Sequence, residues 1–249
     1  MQIQLIRNAT FRLTYAGHQI LTDPFFAAKH TIQSFADISP NPLVDLPCTP
    51  EEVVTGAEIV VISHLHIDHF DPLAQELLSK DIPLYCQPGD ESKLVGMGFQ
   101  SVAPVAQSVQ WQGIRLTRTP GQHGTGEWVK RMGNVSGFIF SAANEPRVYW
   151  AGDTILYPPV EQVVANTQPD IIITHSSGAK FGDSDPIVMN AEQTLAICRA
   201  APNAVVIAIH METLDHGTVS RADLRTQAEA NGISSNQLLI PVDGETLAF

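Results

Sequence analysis

Positive charge is scarce in this chain. Fourteen lysines and arginines stand against 26 aspartates and glutamates, a net charge of −12 with every histidine neutral. An acidic surface repels phosphodiester backbones, and the one basic pair, Lys130-Arg131, is too small to form a patch. Nucleic acid is therefore excluded as an expected partner. Cysteine is scarcer still, at three residues. Cys48, Cys86 and Cys198 are odd in number and far apart, which leaves neither a C-x-x-C motif nor a disulfide framework. Cys86 and Cys198 fall within or at the end of apolar stretches and are expected as reduced core residues. No apolar run approaches the ~20 residues that span a bilayer. Met1 to Arg7 alternates like a strand and lacks the charged start, apolar centre and small-residue cleavage site of a signal peptide. A membrane is thus not an expected partner, and the expected compartment is the cytoplasm.

What the chain has is enough apolar material for a large core: 249 residues, 44% of them hydrophobic and only 16% charged. The first quarter reads as strands, over Gln2 to Arg7, Thr10 to Tyr15 and His18 to Thr22, with Ala16-Gly17 as a tight turn. From Asp23-Pro24 to Pro50 the pattern dissolves and prolines gather, at 24, 40, 42, 47 and 50. A stretch of that length is either a functional loop or lid, or a passive surface excursion. Glu58 to Ser63 reads as a buried strand. Asp71-Pro72 reads as a helix N-cap with proline at the first helical position, opening a helix to Lys80. A strand over Pro83 to Cys86 and a helix over Glu91 to Met97 follow. Strands over Gly113 to Thr119 and Val135 to Ala142 flank a loop from Pro120 to Gly133, and Arg147 to Ala151 is a further strand. The second half alternates strand and helix: Asp170 to Thr174, Ala191 to Ala200, Ala204 to Ile209 and Arg221 to Asn231. Two short strands around Asp243-Gly244 end the chain. The pattern is a layered α/β architecture.

One segment outweighs the rest. Ser63-His64-Leu65-His66-Ile67-Asp68-His69 packs three imidazoles and a carboxylate directly behind an apolar strand, in a chain with nine histidines in all. Neutral imidazole suits zinc and similar divalent cations, and an adjacent aspartate adds charge for a second ion. Three more apolar runs end in a potential ligand: Val148 to Gly152 before Asp153, Ile171 to Thr174 before His175, and Val205 to Ile209 before His210. In α/β proteins ligands bind beyond the carboxyl ends of strands, so these four runs bring distant groups to one rim.

With these residues in view, the chain resembles the metallo-β-lactamase superfamily. The H-x-H-x-D-H run at His64 to His69, the later His123, the Gly152-Asp153-Thr154 turn, His210 at the end of a late strand and the early Asp23 carry the resemblance over nearly the whole chain. Within the superfamily it looks most like compact bacterial enzymes of the ascorbate-6-phosphate lactonase-like branch. The resemblance implies one domain over residues 1–249 with a four-layer αβ/βα sandwich. It implies a first metal held by His64, His66 and His123, a second held by Asp68, His69 and His210, and Asp153 bridging both. Two divalent ions are implied, with zinc first and manganese or iron as alternatives, and a hydroxide shared between them as nucleophile. Asp68 doubles as a proton acceptor. A homo-oligomer is expected on family likeness alone.

Other residues carry paired readings. Asp23 either orients a ligand imidazole or caps a strand-end turn. His175 either takes an active-site part, behind a ligand or in contact with substrate or metal, or is a satisfied loop histidine. His216 is either a general acid or substrate clamp, or an exposed loop residue. Asn8 stands where many relatives carry histidine. Trp128 is either an apolar wall or a structural anchor. The expected function is a metal-dependent hydrolase of a small soluble ester, lactone, amide or phosphoester. The alternatives are a phosphodiesterase or nuclease of the same superfamily, and a non-catalytic protein that binds metal and a metabolite. No P-loop or arginine cluster is present to hold a phosphate.

Overall fold

The structure, a computed structural model, describes residues 1–249. Gln2–Arg7 (β1), Thr10–Tyr15 (β2) and His18–Thr22 (β3) form an antiparallel meander. Ala16 and Gly17, at φ 51° and 84°, make the two-residue turn whose twist matches that of the strands. Ile59–Val61 (β4), Leu84–Cys86 (β5) and Val102–Pro104 (β6) then add in parallel. The C-terminal Thr246–Ala248 (β14) pairs with β1, and the seven-stranded order is β14-β1-β2-β3-β4-β5-β6.

The second sheet also has seven strands, in the order β13-β12-β11-β10-β9-β8-β7. Ser108–Trp111 (β7), Ile114–Pro120 (β8), Ser136–Ser141 (β9) and Val148–Trp150 (β10) run antiparallel in turn. Ile171–His175 (β11), Val205–Ile209 (β12) and Leu238–Leu239 (β13) continue in parallel from β10.

Period-two alternation explains why the central strands read as unbroken apolar runs. Ile59 and Val61 face the space between the sheets while Val60 faces outward; Ile171 and Ile173 face inward while Ile172 faces outward. The inner rows of both sheets share one core, including Phe11, Phe138 and Trp150. Pro50–Val54 (α1), Pro72–Leu77 (α2) and Glu91–Gly96 (α3) cover the outer face of the first sheet through Val53, Ala74 and Leu94. Pro158–Thr167 (α5), Ala191–Ala200 (α6) and Arg221–Ala230 (α7) cover the second through Val160, Leu195 and Leu224. Helix, sheet, sheet, helix are the four layers expected.

Several elements depart from the sequence reading. The irregular stretch after β3 ends one helix early: Thr49 caps α1, with its side chain on Glu52 N and the Glu52 carboxylate returned to Thr49 N. That is the S/T-x-x-E capping box, written as Thr49-Pro50-Glu51-Glu52. The loop from Pro120 to Gly133 contains Glu127–Met132 (α4). α5, β6 and β7 were likewise absent from the reading. β6 and β7 are short edge pieces, and α5 opens on Pro158-Pro159, which resemble loop composition until they are placed in its first turn.

Arg7, at the end of β1, is wholly buried and donates to the carbonyls of Val44 (3.0 Å), Phe25 (3.3 Å) and Ala27 (2.8 Å). Burial lowers its guanidinium to about 10, so it remains charged at neutral pH while Nε has no partner. This one side chain ties both ends of the irregular segment to the first sheet. Arg7→Ala strips three carbonyls of a charged donor and should destabilise the fold by about 3 kcal/mol. Urea denaturation monitored by circular dichroism measures this, and an unchanged midpoint would remove Arg7 as the anchor.

Candidate metal centre

The expected ligands converge at the carboxyl ends of β4, β10, β11 and β12, with His123 added from the loop after β8. His64, His69, His123, Asp153, His175 and His210 are all buried, as are Asp23 and Asp68. The donor atoms of His64, His66 and His123 lie within 4.8 Å of one another, and so do those of His69, Asp153, His175 and His210. The two groups meet at Asp153. Its Oδ2 is 3.2 Å from His69 Nε2, 3.3 Å from His123 Nε2 and 3.8 Å from His64 Nε2, and its Oδ1 is 3.7 Å from His210 Nε2. Asp68 Oδ2 lies 3.4 Å from His69 Nε2 and 3.3 Å from His210 Nε2.

The hydrogen bonds behind the imidazoles determine which ring nitrogen faces the centre. Ser63 Oγ donates to Asp23 Oδ2 at 2.5 Å and so accepts from His64 Nδ1 at 2.9 Å. His69 Nδ1 donates to Asp23 Oδ2 at 2.6 Å. His66 Nε2 donates to the Met132 carbonyl at 2.9 Å, and His123 Nδ1 to the Ile187 carbonyl at 2.8 Å. Each ring therefore spends its proton outward and turns a lone pair inward, the arrangement that carbonyl and carboxylate partners impose on metal-binding histidines. His64 Nε2 and His66 Nδ1 then face each other 2.9 Å apart with no proton between them. His69 Nε2 and His210 Nε2 are buried without any hydrogen-bond partner. Converging lone pairs repel unless a cation lies among them, so this donor set fits metal ions.

Electrostatics point the same way. Burial pushes His64 down, and the neighbouring His69 and His66 push it further. Burial likewise lowers His123. For Asp153 and Asp68 burial acts upward, but His69 overrides it and holds both carboxyls well below the usual range. For His69 burial acts downward, yet Asp153, Asp68 and Asp23 together raise it well above its ordinary value, so its inward Nε2 takes up either a second proton or a cation in its place. A buried ring of acidic groups thus demands positive charge at its centre, and dications meet that demand.

His175 belongs behind the centre rather than in it. Trp150 Nε1, which can only donate, lies 3.0 Å from His175 Nε2, so that nitrogen is the acceptor. The proton is consequently on Nδ1, which donates to Asp153 Oδ1 at 2.5 Å. Both ring nitrogens are engaged, and although His175 lies among the clustered donors it has no lone pair free for an ion. Of the places expected for His175, the geometry favours the one behind a ligand, as a hold on Asp153. Period-two alternation explains the meeting: His175 extends the inward row of Ile171 and Ile173, beside inward Trp150. Asp23 has its orienting place on His69 and Ser63, reached at a φ of 35°.

The sequence reading noted Asn8 and Ser63 but gave neither a role. Asn8 Nδ2 donates to the Asp68 carbonyl at 2.9 Å, while the Asn8 carbonyl accepts from His210 N at 3.0 Å. It joins the two loops that carry Asp68 and His210. Gly152 explains the Gly-Asp turn: its φ is 69°, and a Cβ there would sit 2.6 Å from the Ser136 carbonyl oxygen.

Beside the centre lies a cavity of about 220 Å³. His66, Asp68, His123 and Asp153 form its floor, and Phe35, Ile67, Met132, Phe181, Ile187 and His216 its walls. His216 is buried, its Nδ1 has no partner, and burial lowers it to about 4, so it is an uncharged imidazole at neutral pH. Trp128 stacks on Phe181 at 4.7 Å, which makes it the support of that wall. His216, Trp128 as a candidate wall and the irregular stretch after Asp23 pointed toward this cavity, but Phe35 and Phe181 come from loops with no local signature. A second cavity of about 250 Å³, polar and lined by Gln87, Asp90, Lys93 and Asn134, reaches His64 and His66 from another side.

Fold and donor set together define a metal-dependent hydrolase. The family described as "Beta-lactamase superfamily domain" matches residues 18–211. The UPF0173 protein YddR of Bacillus subtilis is 36% identical over 255 residues, covering 100% of both chains. Among solved structures, a possible metal-dependent hydrolase from Veillonella parvula superposes with a TM-score of 0.97 at 34% identity, covering 100% of this chain and 99% of that one. An isothiocyanate hydrolase from Delia radicum gut bacteria superposes at 0.95 with 32% identity and the same coverage. The chain belongs to the metallo-β-lactamase superfamily. No helix is long and apolar enough to cross a membrane.

Two substitutions test the centre. Asp153→Ala removes the carboxylate common to both donor groups, so the purified protein should lose metal with its fold intact; near-normal metal content by emission spectroscopy would count against the assignment. His175→Phe keeps the ring but not its Nδ1 proton, and metal affinity should fall about 10- to 100-fold. Competition with a chromogenic chelator reads this, and unchanged affinity would reduce His175 to packing.

Proposed function

We propose that this protein is a dinuclear metal hydrolase, zinc being preferred by its imidazoles, that adds water to a small uncharged electrophile bearing an apolar group. His64, His66 and His123 would hold one ion, Asp68, His69 and His210 the other, with Asp153 between them. The observation that carries the substrate class is the cavity wall beside Asp68 and Asp153. It is aromatic and aliphatic, its one titratable side chain is neutral His216, and no lysine or arginine lines it. A phosphoester would bring negative charge to a pocket without cationic donors. An isothiocyanate matches the wall better, being linear, uncharged and electrophilic at its central carbon. Likeness to an isothiocyanate hydrolase at 32% identity supports the same class. Uncharged lactones and esters of similar size share the essential features and are the natural comparison.

When bound, the two dications would supply Lewis acidity, bringing the ionisation of water toward neutral pH and polarising the electrophile. The chain supplies the remainder. Asp68, kept ionised, accepts the proton that water gives up on attack. Phe35, Phe181, Ile187 and Met132 hold the apolar group and exclude bulk water. His216, uncharged, contacts the substrate as a hydrogen-bonding imidazole and not as a preformed acid, since it is unprotonated far below neutral pH. For an isothiocyanate, water's oxygen bonds to the central carbon and its proton passes to nitrogen. The resulting thiocarbamate then releases amine and carbonyl sulfide, which balances one water against one substrate.

The test is a panel of benzyl isothiocyanate, a simple lactone, a phenyl ester and bis-p-nitrophenyl phosphate, run on zinc-loaded protein. Isothiocyanate turnover, abolished by dipicolinate and restored by zinc, is the expected result; exclusive phosphodiester cleavage would overturn it. His216→Ala should lower turnover about 10- to 100-fold while both metals stay bound. Loss of metal in that variant would instead make His216 a ligand.

A further inference from the structure

The irregular segment between β3 and α1 is organised around a side chain from a different loop. Asp215 Oδ1 accepts from Phe35 N at 3.0 Å and Asn41 Nδ2 at 2.8 Å. Its Oδ2 accepts from Ser34 Oγ, from Ala36 N at 3.1 Å, and more distantly from Ile38 N at 3.3 Å and Ser39 N at 3.4 Å. Asp215 N in turn donates to Asn41 Oδ1 at 2.8 Å. The only ladder contact within this segment is the bridge of Ile32 with Asn41. A carboxylate is an acceptor with about four lone-pair sites, so this convergence saturates it. Asparagine, with one acceptor oxygen and two N–H donors, cannot reproduce the arrangement.

What this clamp holds is Phe35. The ring meets His216 edge-on, with centroids 5.2 Å apart and planes at 86°. Phe181 also packs on His216, at 5.4 Å and 27°. Phe35 rests on a small cluster of Phe25, Ala27 and Leu214. Asp215 and His216 are consecutive, so one dipeptide carries both the anchor of the segment and the ring against which Phe35 packs. None of the atoms bonded to Asp215 belongs to the metal centre.

We propose that Asp215 is a positioning residue that sets the size selectivity of this site, acting through Phe35, which it holds against His216 as one wall of the cavity. The ligand so selected carries a compact aryl group. The inference rests on the reading of this cavity as the place where substrate binds. Without the clamp the apolar wall opens, and ligands with a ring lose their packing while ligands without one lose nothing.

The experiment uses zinc-loaded protein and two metal-chelating probes, benzohydroxamate, whose ring enters the cavity, and acetohydroxamate, which has none. In Asp215→Asn, hydrogen exchange at the amides of Phe35, Ala36, Ile38 and Ser39 should accelerate, since their acceptor is compromised. Calorimetry should show benzohydroxamate weakened about tenfold in Asp215→Asn and in Phe35→Ala, and no further in the double variant, because both act through one ring. Acetohydroxamate affinity and metal content should hold. With members of the substrate class proposed above, KM should rise for an aryl compound and hold for its methyl counterpart. Faster exchange with unchanged benzohydroxamate affinity, an additive double variant, or loss of metal would each overturn the inference. Should Asp215→Asn not fold, Ser34→Ala keeps the carboxylate and removes one donor; it must weaken benzohydroxamate by about twofold or more, or the inference falls. If the hydroxamates behave as stated but no isothiocyanate is turned over, the substrate is wrong and the role of Asp215 stands.

Discussion

The structure depends on a buried carboxylate surrounded by lone pairs. Asp153 lies within 4 Å of ring nitrogens of His64, His69, His123, His175 and His210, in a place where burial alone would drive it neutral. Each imidazole except His175 turns an unprotonated nitrogen toward this centre where its partner is resolved, because Ser63, Asp23, Met132 and Ile187 hold the outward protons. His175 alone directs its proton inward, and that proton orients Asp153. Orientation of these imidazoles is therefore set by the groups behind them, the Ser63 hydroxyl, the Asp23 carboxylate and the carbonyls of Met132 and Ile187.

The two sheets make this possible by a simple rule. Parallel strands ending at one edge deliver β4, β10, β11 and β12 to a common rim, and alternation decides which side chains look inward. The pair formed by Trp150 and His175 follows from both: an inward residue on β10 sits beside the inward row of β11, so an indole that fills the core also fixes a tautomer. Packing and chemistry share the same side chain here. A polar residue on that inward row would otherwise be costly, and its complete hydrogen bonding explains why it is tolerated.

Legibility in the sequence divided along the same line. Most of the clustered His and Asp residues were readable through a local pattern, either the dense run at His64 to His69 or a strand ending in His or Asp, whereas His123, in the loop after β8, came from the resemblance alone. Strands buried on both faces were readable as apolar runs, and α6 was placed at Ala191–Ala200 as found. α1 carried a signal in Thr49 and Glu52 that proline-rich surroundings obscured. His175 was recognised as unusual, but its role depends on Trp150, and a register between two strands has no expression along the chain. Phe35, Phe181 and Met132 were out of reach for the same reason: each lies in or beside a loop whose conformation is set by distant partners.

That division bears on how such a site acquires its selectivity. The metal-facing residues are coupled so closely that altering one disturbs several, whereas the cavity wall is carried by segments hung on a few polar anchors. Arg7 secures both ends of one such segment through three carbonyls, and Asp215 gathers its middle. The partners of Asp215 in the anchored loop are distinct from the groups that hold the outward protons of the imidazoles. The two parts meet only at Met132 and Ile187, whose side chains line the wall and whose carbonyls hold the outward protons of His66 and His123, while Phe35 reaches the same wall from the separately anchored loop.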